Sequence, residues 1–283
     1  MYKPSQNTTI NVKNKILDVA DPIIMGIVNL TPDSFFDGGQ YNIHEKALKR
    51  ASQLLKEGAT ILDVGAYSSR PGAFVVDEEE ELERLIPFIE RLVEAHPDVI
   101  ISVDTFRALV AQRAIEAGAS IVNDISGGTL DPLMFEIVGK LQVPYVLMHM
   151  RGTPETMQDL TEYEDFMGEI SAYFIDKIKE LRKHGVKDII LDPGFGFAKT
   201  IKQNYELLGR VDELLAFGLP ILGALSRKSM IYKVLGTDPK HALNGTTALN
   251  TILLMKGVNI IRVHDIVEAK EITLLIRKLK ESF

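Results

Sequence analysis

The chain has 283 residues, 46% hydrophobic and 25% charged, an ordinary mixture for a globular protein that buries a sizeable core. Net charge is −7, the pI is near 5.5 and no basic run breaks the mixture, which argues against a nucleic-acid or anionic-membrane surface. The lack of any cysteine excludes disulfides, thiolate metal sites, iron–sulfur clusters and a cysteine nucleophile. The opening residues lack a secretory apolar run and no later stretch is apolar enough to span a membrane, so a cytoplasmic protein is expected.

Short runs rich in β-branched residues alternate along the chain with longer runs of helical periodicity. The predicted strands cover 23–29, 60–65, 99–104, 120–124, 144–149, 188–192, 220–226 and 258–263. The predicted helices cover 43–57, 78–95, 107–117, 131–140, 162–184, 202–217, 241–256 and 266–281. Gly58, Gly118, Gly185 and Gly257 follow helices directly, as stop signals do. Eight uninterrupted strand–helix units in one domain over 1–283 predict an α/β fold, a (β/α)8 TIM barrel, with an open doubly wound sheet as the alternative. Long connections rich in glycine and proline follow the strands at 29–42, 65–77 and 192–200, so the active site is expected at the C-terminal ends of the strands. The first two of these connections have the composition of lids, ordered only when ligand is bound.

A polar residue closes most strands: Asn29, Asp63, Asp104, Asn123, His149, Asp192, Arg227 with Lys228, and Arg262 with His264. Each has a plain structural reading. Asp104 fits an N-cap, Asn123 with Asp124 fits a turn, His149 fits rim packing, and Asp63 fits a carboxylate inside the barrel. Convergence of so many ends on one small volume is what those readings leave unexplained. Arg262 and His264 lie two apart on one strand and therefore share a side. After the eighth strand such a pair suits an anion clamp, although Arg262 paired with Asp265 at the surface is the alternative. Lys228 fits a Schiff-base nucleophile, a hydrogen-bond donor or a solvated charge. Asp192 opens a glycine-rich turn and suits an acceptor for two adjacent N–H donors of a heterocycle.

Several segments together resemble the dihydropteroate synthase family of bacterial folate biosynthesis, over essentially the whole chain. They run from Gly26 to Phe35 with Asp37 to Gly39, Ser69 to Gly72, Ser102 to Thr105, Val122 to Gly127 and Val146 to His149. Asp192 to Phe197, Gly223 with Ser226 to Ser229, and Arg262 to His264 complete the set. The resemblance implies a transferase that joins p-aminobenzoate to 6-hydroxymethyl-7,8-dihydropterin diphosphate and releases pyrophosphate, with sulfonamides as competitors. By position it puts pterin on Asp104, Asn123, Met148, Asp192 and Lys228. It puts diphosphate on Asn29, Ser69, Arg262 and His264, with Mg²⁺ held by the diphosphate, Asn29 and water. Asp33, Phe35, Arg70, Pro71, Phe197 and Ser229 would build the aminobenzoate slot. The resemblance assigns catalysis to Asp104, Asp192, Lys228, Arg262 and His264, and implies a homodimer through the late helices.

Two departures stand out from the family pattern: Tyr67 replaces an acid, and Phe36 replaces a small polar residue. Rival readings are a pterin-dependent methyltransferase, a Schiff-base aldolase through Lys228, and a barrel that binds pterin without turnover. A methyltransferase has no need of a diphosphate clamp, and here the clamp positions are filled.

Overall fold

The computed structural model describes residues 8–13, 15–30, 40–67 and 76–282, and of 40–42 the backbone only. An antiparallel hairpin, β1 (Thr9–Val12) and β2 (Lys15–Asp18), comes first. Eight parallel strands follow: β3 (Ile23–Asn29), β4 (Ile61–Gly65), β5 (Ile100–Asp104), β6 (Ile121–Asp124), β7 (Tyr145–Met148), β8 (Ile189–Asp192), β9 (Leu222–Gly223) and β10 (Ile260–Val263). Their order round the sheet is β8-β7-β6-β5-β4-β3-β10-β9, and a parallel bridge from Leu191 to Ile221 closes the ring. The helices are α1 (Gln40–Glu57), α2 (Glu78–Ala95), α3 (Ala108–Glu116), α4 (Met134–Leu141), α5 (Phe166–Lys183), α6 (Ile201–Arg210), α7 (Ser229–Tyr232), α8 (Leu243–Met255) and α9 (Ile266–Lys280). The predicted barrel is the observed one, and each predicted strand contains an observed strand.

The differences have local causes. Predicted strand 220–226 shrinks to Leu222–Gly223, because Pro220 has no N–H and contributes only its carbonyl, which accepts from Leu191. The helix predicted from 162 begins after Asp165, whose carboxylate accepts from the Gly168 N–H and caps it. The four predicted glycine stops have positive φ, as a C-cap requires. The hairpin was not predicted. It lies against the barrel interior, where Ile10, Val12 and Val19 are buried, and Asn259 Nδ2 donates to the Val19 carbonyl.

Strand alternation divides the side chains between two cores. Outward residues such as Ile24, Leu62, Val64, Ile101, Val103, Leu147 and Leu191 pack under the helices. Inward residues form two tiers. In the lower tier, Met25, Ile61, Ile121, Val146, Ile190, Leu222 and Ile260 are fully buried against the hairpin. At about 1.5–3 kcal/mol for each side chain, that tier contributes about 10–20 kcal/mol. Two residues further along, β4, β6, β8 and β10 present Asp63, Asn123, Asp192 and Arg262, β5 adds Ser102, and β7 stays apolar with Met148. The stable tier carries the charged one.

Candidate active site

Arg262 stands at the centre of the polar tier. Its Nε donates to Asp63 Oδ2 at 2.5 Å and its Nη2 to Asp104 Oδ2 at 2.7 Å. Asp63 is wholly buried and also accepts from Asn123 Nδ2 at 3.1 and 3.2 Å. Burial works against the Arg262 cation, but the Asp63 and Asp104 carboxylates outweigh it and hold its pKa above the usual arginine range. Asp104 is pushed up to about 7, first by burial and then by the Asp63 carboxylate, while Arg262 opposes the rise. Gly65, across the ladder from Asp104, leaves the room it needs: a Cβ there would lie 3.1 Å from the Asp104 Cβ.

On the opposite side Asp192 ends β8. Its Oδ1 accepts from the Gly194 N–H at 2.8 Å, and burial raises its pKa against the pull of the Lys228 cation. Lys228 reaches back from the residue before α7, donates to the Phe195 carbonyl at 2.5 Å and lies 4.7 Å from the centre of the Phe197 ring. Burial lowers its pKa to about 8, with Asp192 opposing. Met148, Phe197, Ile125, Met150, Met157 and Ala198 form a separate apolar cluster, with Phe106 against it. The site thus has a charged floor beside an apolar wall.

Asp104, Asn123, Met148, Asp192, Lys228 and Arg262 therefore belong to one mouth of the barrel, as the sequence leads one to expect. His264 lies above them. Its Nδ1 is 3.0 Å from Ser226 Oγ, and its carbonyl accepts from Arg50 Nη2 at 2.8 Å. Asn29 ends β3 half-buried, Phe197 is buried in the wall, and Ser229 opens α7. Ser69, Asp33, Phe35, Arg70 and Pro71, with Phe36, lie outside the described residues, as do most of the two connections read as lids.

The structure also decides among the plain readings. Asp104 caps nothing, because Asp131 Oδ2 takes the first N–H of α3. Asp124, not Asn123, serves the turn, accepting from Ser126 N, Gly128 N and Tyr145 Oη. Arg262 does not pair with Asp265. Arg227 does, at 2.9 and 2.7 Å, tying the tops of β9 and β10 together. His149 is a buried rim residue, as its plain reading has it. Asp63 is the carboxylate inside the barrel that its plain reading expects, and it holds Arg262 and Asn123. One residue beside the site is absent from the sequence-based reading. Lys199, buried beside His149, lies in a loop where periodicity carries no signal. The departing Tyr67 packs edge-on against Phe106 at 5.0 Å, under the Arg107 guanidinium.

Fold and site together define a barrel enzyme that takes into its mouth a flat molecule, rich in donors and acceptors at its edges and apolar on its face. The model of the pterin-binding enzymes matches residues 25–264. A dihydropteroate synthase of Synechocystis sp. is 47% identical over 246 residues, covering 86% of this chain and 85% of its own. The Yersinia pestis dihydropteroate synthase, solved as a sulfonamide drug complex, superposes with a TM-score of 0.91 at 40% identity, covering 96% of this chain and 99% of that one. The Xanthomonas albilineans enzyme, solved with 4-aminobenzoic acid, gives a TM-score of 0.90 at 36% identity, covering 96% and 98%. The chain belongs to the pterin-binding enzyme family and, within it, to the dihydropteroate synthases.

Proposed function

We infer that this site condenses 6-hydroxymethyl-7,8-dihydropterin diphosphate with p-aminobenzoate, giving 7,8-dihydropteroate and pyrophosphate. The observation that carries the reading is the charged floor of Asp104, Asn123, Asp192 and Lys228 set beside the Met148 and Phe197 wall. Asp192 takes the paired 2-amino and N3–H donors of the pterin. Asn123 and Asp104 meet the other edge, Lys228 donates to ring acceptors, and Met148 lies against the ring face. Arg262 has two nitrogens committed to Asp63 and Asp104, so its contact with diphosphate is made by the rest of the guanidinium fork. His264, its imidazole steadied by Ser226, adds a second donor there, and Ser69 a third.

Magnesium fits this arrangement as an ion carried with the diphosphate. Among the described residues no group of three acidic or histidine side chains makes a cage, and Asn29 offers a single neutral oxygen. Mg²⁺ keeps waters and binds through phosphates, so one protein ligand suffices, and the ion would neutralise charge on the leaving diphosphate. In the reaction the C–O bond from the pterin methylene to diphosphate breaks, and the arylamine lone pair forms the C–N bond. The amine then gives its proton to water. Asp104 and Asp192 stabilise positive charge on the pterin as the leaving group departs, and positioning does the rest. Asp33, Phe35, Arg70, Pro71, Phe197 and Ser229 complete the aminobenzoate slot, where sulfonamides compete. A cytoplasmic location is part of the same proposal.

A homodimer belongs to this reading too. Met255 on α8 and Leu274 and Leu275 on α9 are exposed at 59%, 51% and 69%, and a second copy of the chain covers them. Sedimentation at micromolar protein should give twice the chain mass, and Leu275→Glu should halve it. The reaction itself is tested by coupled detection of pyrophosphate. Release must require both substrates, and release that is unaffected by omitting p-aminobenzoate overturns the assignment.

A further inference from the structure

Lys199 is the most deeply buried amine of the site, 4% exposed, and none of the steps above uses it. An ammonium has three protons, and Lys199 Nζ has three acceptors: Gly194 O at 3.1 Å, Phe197 O at 3.0 Å and His149 Nδ1 at 3.0 Å. The first two belong to the loop after β8, and the third to the residue after β7. Toward the ammonium form of Lys199, His149 accepts at Nδ1. Burial and the Lys199 and Arg151 cations push its pKa well down, which keeps the ring neutral for that role. The ring is held in turn by an edge-on contact with Tyr173, 4.9 Å between centres, while Tyr173 Oη donates to the Met148 carbonyl.

The loop that Lys199 grips is strained and closely fitted. Ala198 has φ +47°, a left-handed conformation that a non-glycine residue adopts only under constraint. Gly194, at φ +70°, passes so near β7 that a Cβ would lie 2.1 Å from the His149 carbonyl oxygen. Tyr163 Oη donates to the Ala198 carbonyl and Asn204 Oδ1 accepts from the Gly196 N–H. The β7–β8 ladder ties the strands themselves, the His149 N–H donating to the Asp192 carbonyl at 2.9 Å, and Lys199 Nζ ties the loop beyond β8 to the residue after β7. Gly194 supplies the N–H on Asp192, Phe195 the carbonyl under Lys228, and Phe197 the ring that joins Met148 in the wall.

We propose that Lys199 is a positioning residue for the pterin slot, holding the loop after β8, with the Phe197 ring and the Phe195 carbonyl that anchors Lys228, against Met148 and His149 on the β7 side. The inference rests on the pterin reading above. Burial lowers the Lys199 pKa to about 7, with the Lys228 and Arg151 cations adding to the fall and the Asp192 carboxylate opposing it. A methionine of similar length would fill the space and leave three acceptors without their donor.

The test is steady-state kinetics of Lys199→Met with both substrates, beside a thermal melt. The expected result is a folded protein whose kcat/KM for pterin diphosphate falls on the order of 100-fold, the scale of a 1 Å misplacement, with a raised KM carrying most of the fall. Lys199→Gln, which keeps an N–H donor without the charge, should recover part of the loss and serves alone if the methionine variant does not fold. Variants that fold and keep the wild-type KM for pterin diphosphate overturn the proposal. So does a fall confined to kcat. An inactive wild-type protein would instead overturn the reaction, which keeps the two failures distinct.

Discussion

Asp63 makes the most exposed prediction of the site's electrostatics, because it contacts no proposed substrate yet holds two residues that do. Asp63→Asn keeps the shape and removes the charge. In place of two acceptor oxygens facing Arg262 Nε and Asn123 Nδ2, the variant offers one carbonyl and one NH₂. One buried donor is stranded, costing about 1–3 kcal/mol, and the bond to Arg262 loses its charge assistance. Asp104 still pairs with Arg262, so the full ~3–5 kcal/mol of a broken buried pair is not reached. The expected loss of ligand-free stability is about 2–4 kcal/mol. Urea unfolding monitored by circular dichroism reads it as a lower midpoint at unchanged slope. A cycle with Arg262→Gln should give a coupling of about 0.5–3 kcal/mol between the two positions. Stability within ~0.5 kcal/mol of wild type would refute the role of Asp63 as the buried anchor of Arg262, since substitutions away from such features fall in that range.

Three further outcomes follow from the same geometry. Asp192→Asn swaps an acceptor for a donor and should weaken a pterin analogue by about 1.5–3 kcal/mol in calorimetric titration; unchanged affinity removes Asp192 from the pocket. Lys228, still largely protonated at neutral pH with a pKa of about 8, should form no imine, so borohydride with substrate leaves the native mass unchanged, while Lys228→Arg impairs turnover. Asp104, with a folded pKa of about 7, binds a proton in the fold that the unfolded chain has already released above the ordinary carboxylate range. Ligand-free stability should therefore fall as pH rises from about 4 to about 7, and Asp104→Asn should flatten that part of the profile.

The barrel was legible because its strands are buried on both faces, so each reads as a near-continuous apolar run ended by a polar residue. The site was legible where strands end in polar residues, at Asp104, Asn123, Asp192 and Arg262, while Met148 came only from the family resemblance. The spacing of Arg262 and His264 puts both on one side by strand parity. It did not reveal that Arg262 would be drawn inward by two carboxylates, one of them on the far-off β4. That pairing joins residues 199 positions apart, and no local pattern encodes it. Lys199 was hidden for two reasons: its two carbonyl partners are close in sequence but sit in a loop turned by positive φ at Gly194, Gly196 and Ala198, and its third partner, His149, is 50 positions away. The hairpin at Thr9–Val12 carries an alternating burial pattern, yet four residues give period two too little length to stand out.

Register and charge in this barrel are one problem. A slip of β10 by one residue would carry Arg262 to the helix side, among Ile266, Leu254 and their neighbours, and leave Asp63 and Asp104 facing each other with no cation between them. An unpaired buried charge of either sign costs several kcal/mol, more than the loss of any one apolar contact in the tier below. The ion triad is therefore a specificity device as well as a binding surface. It penalises the misregistered barrel more heavily than it favours the correct one. A substrate that draws on Arg262 and Asp104 meets groups already oriented by folding, so little of its binding energy is spent on arranging them.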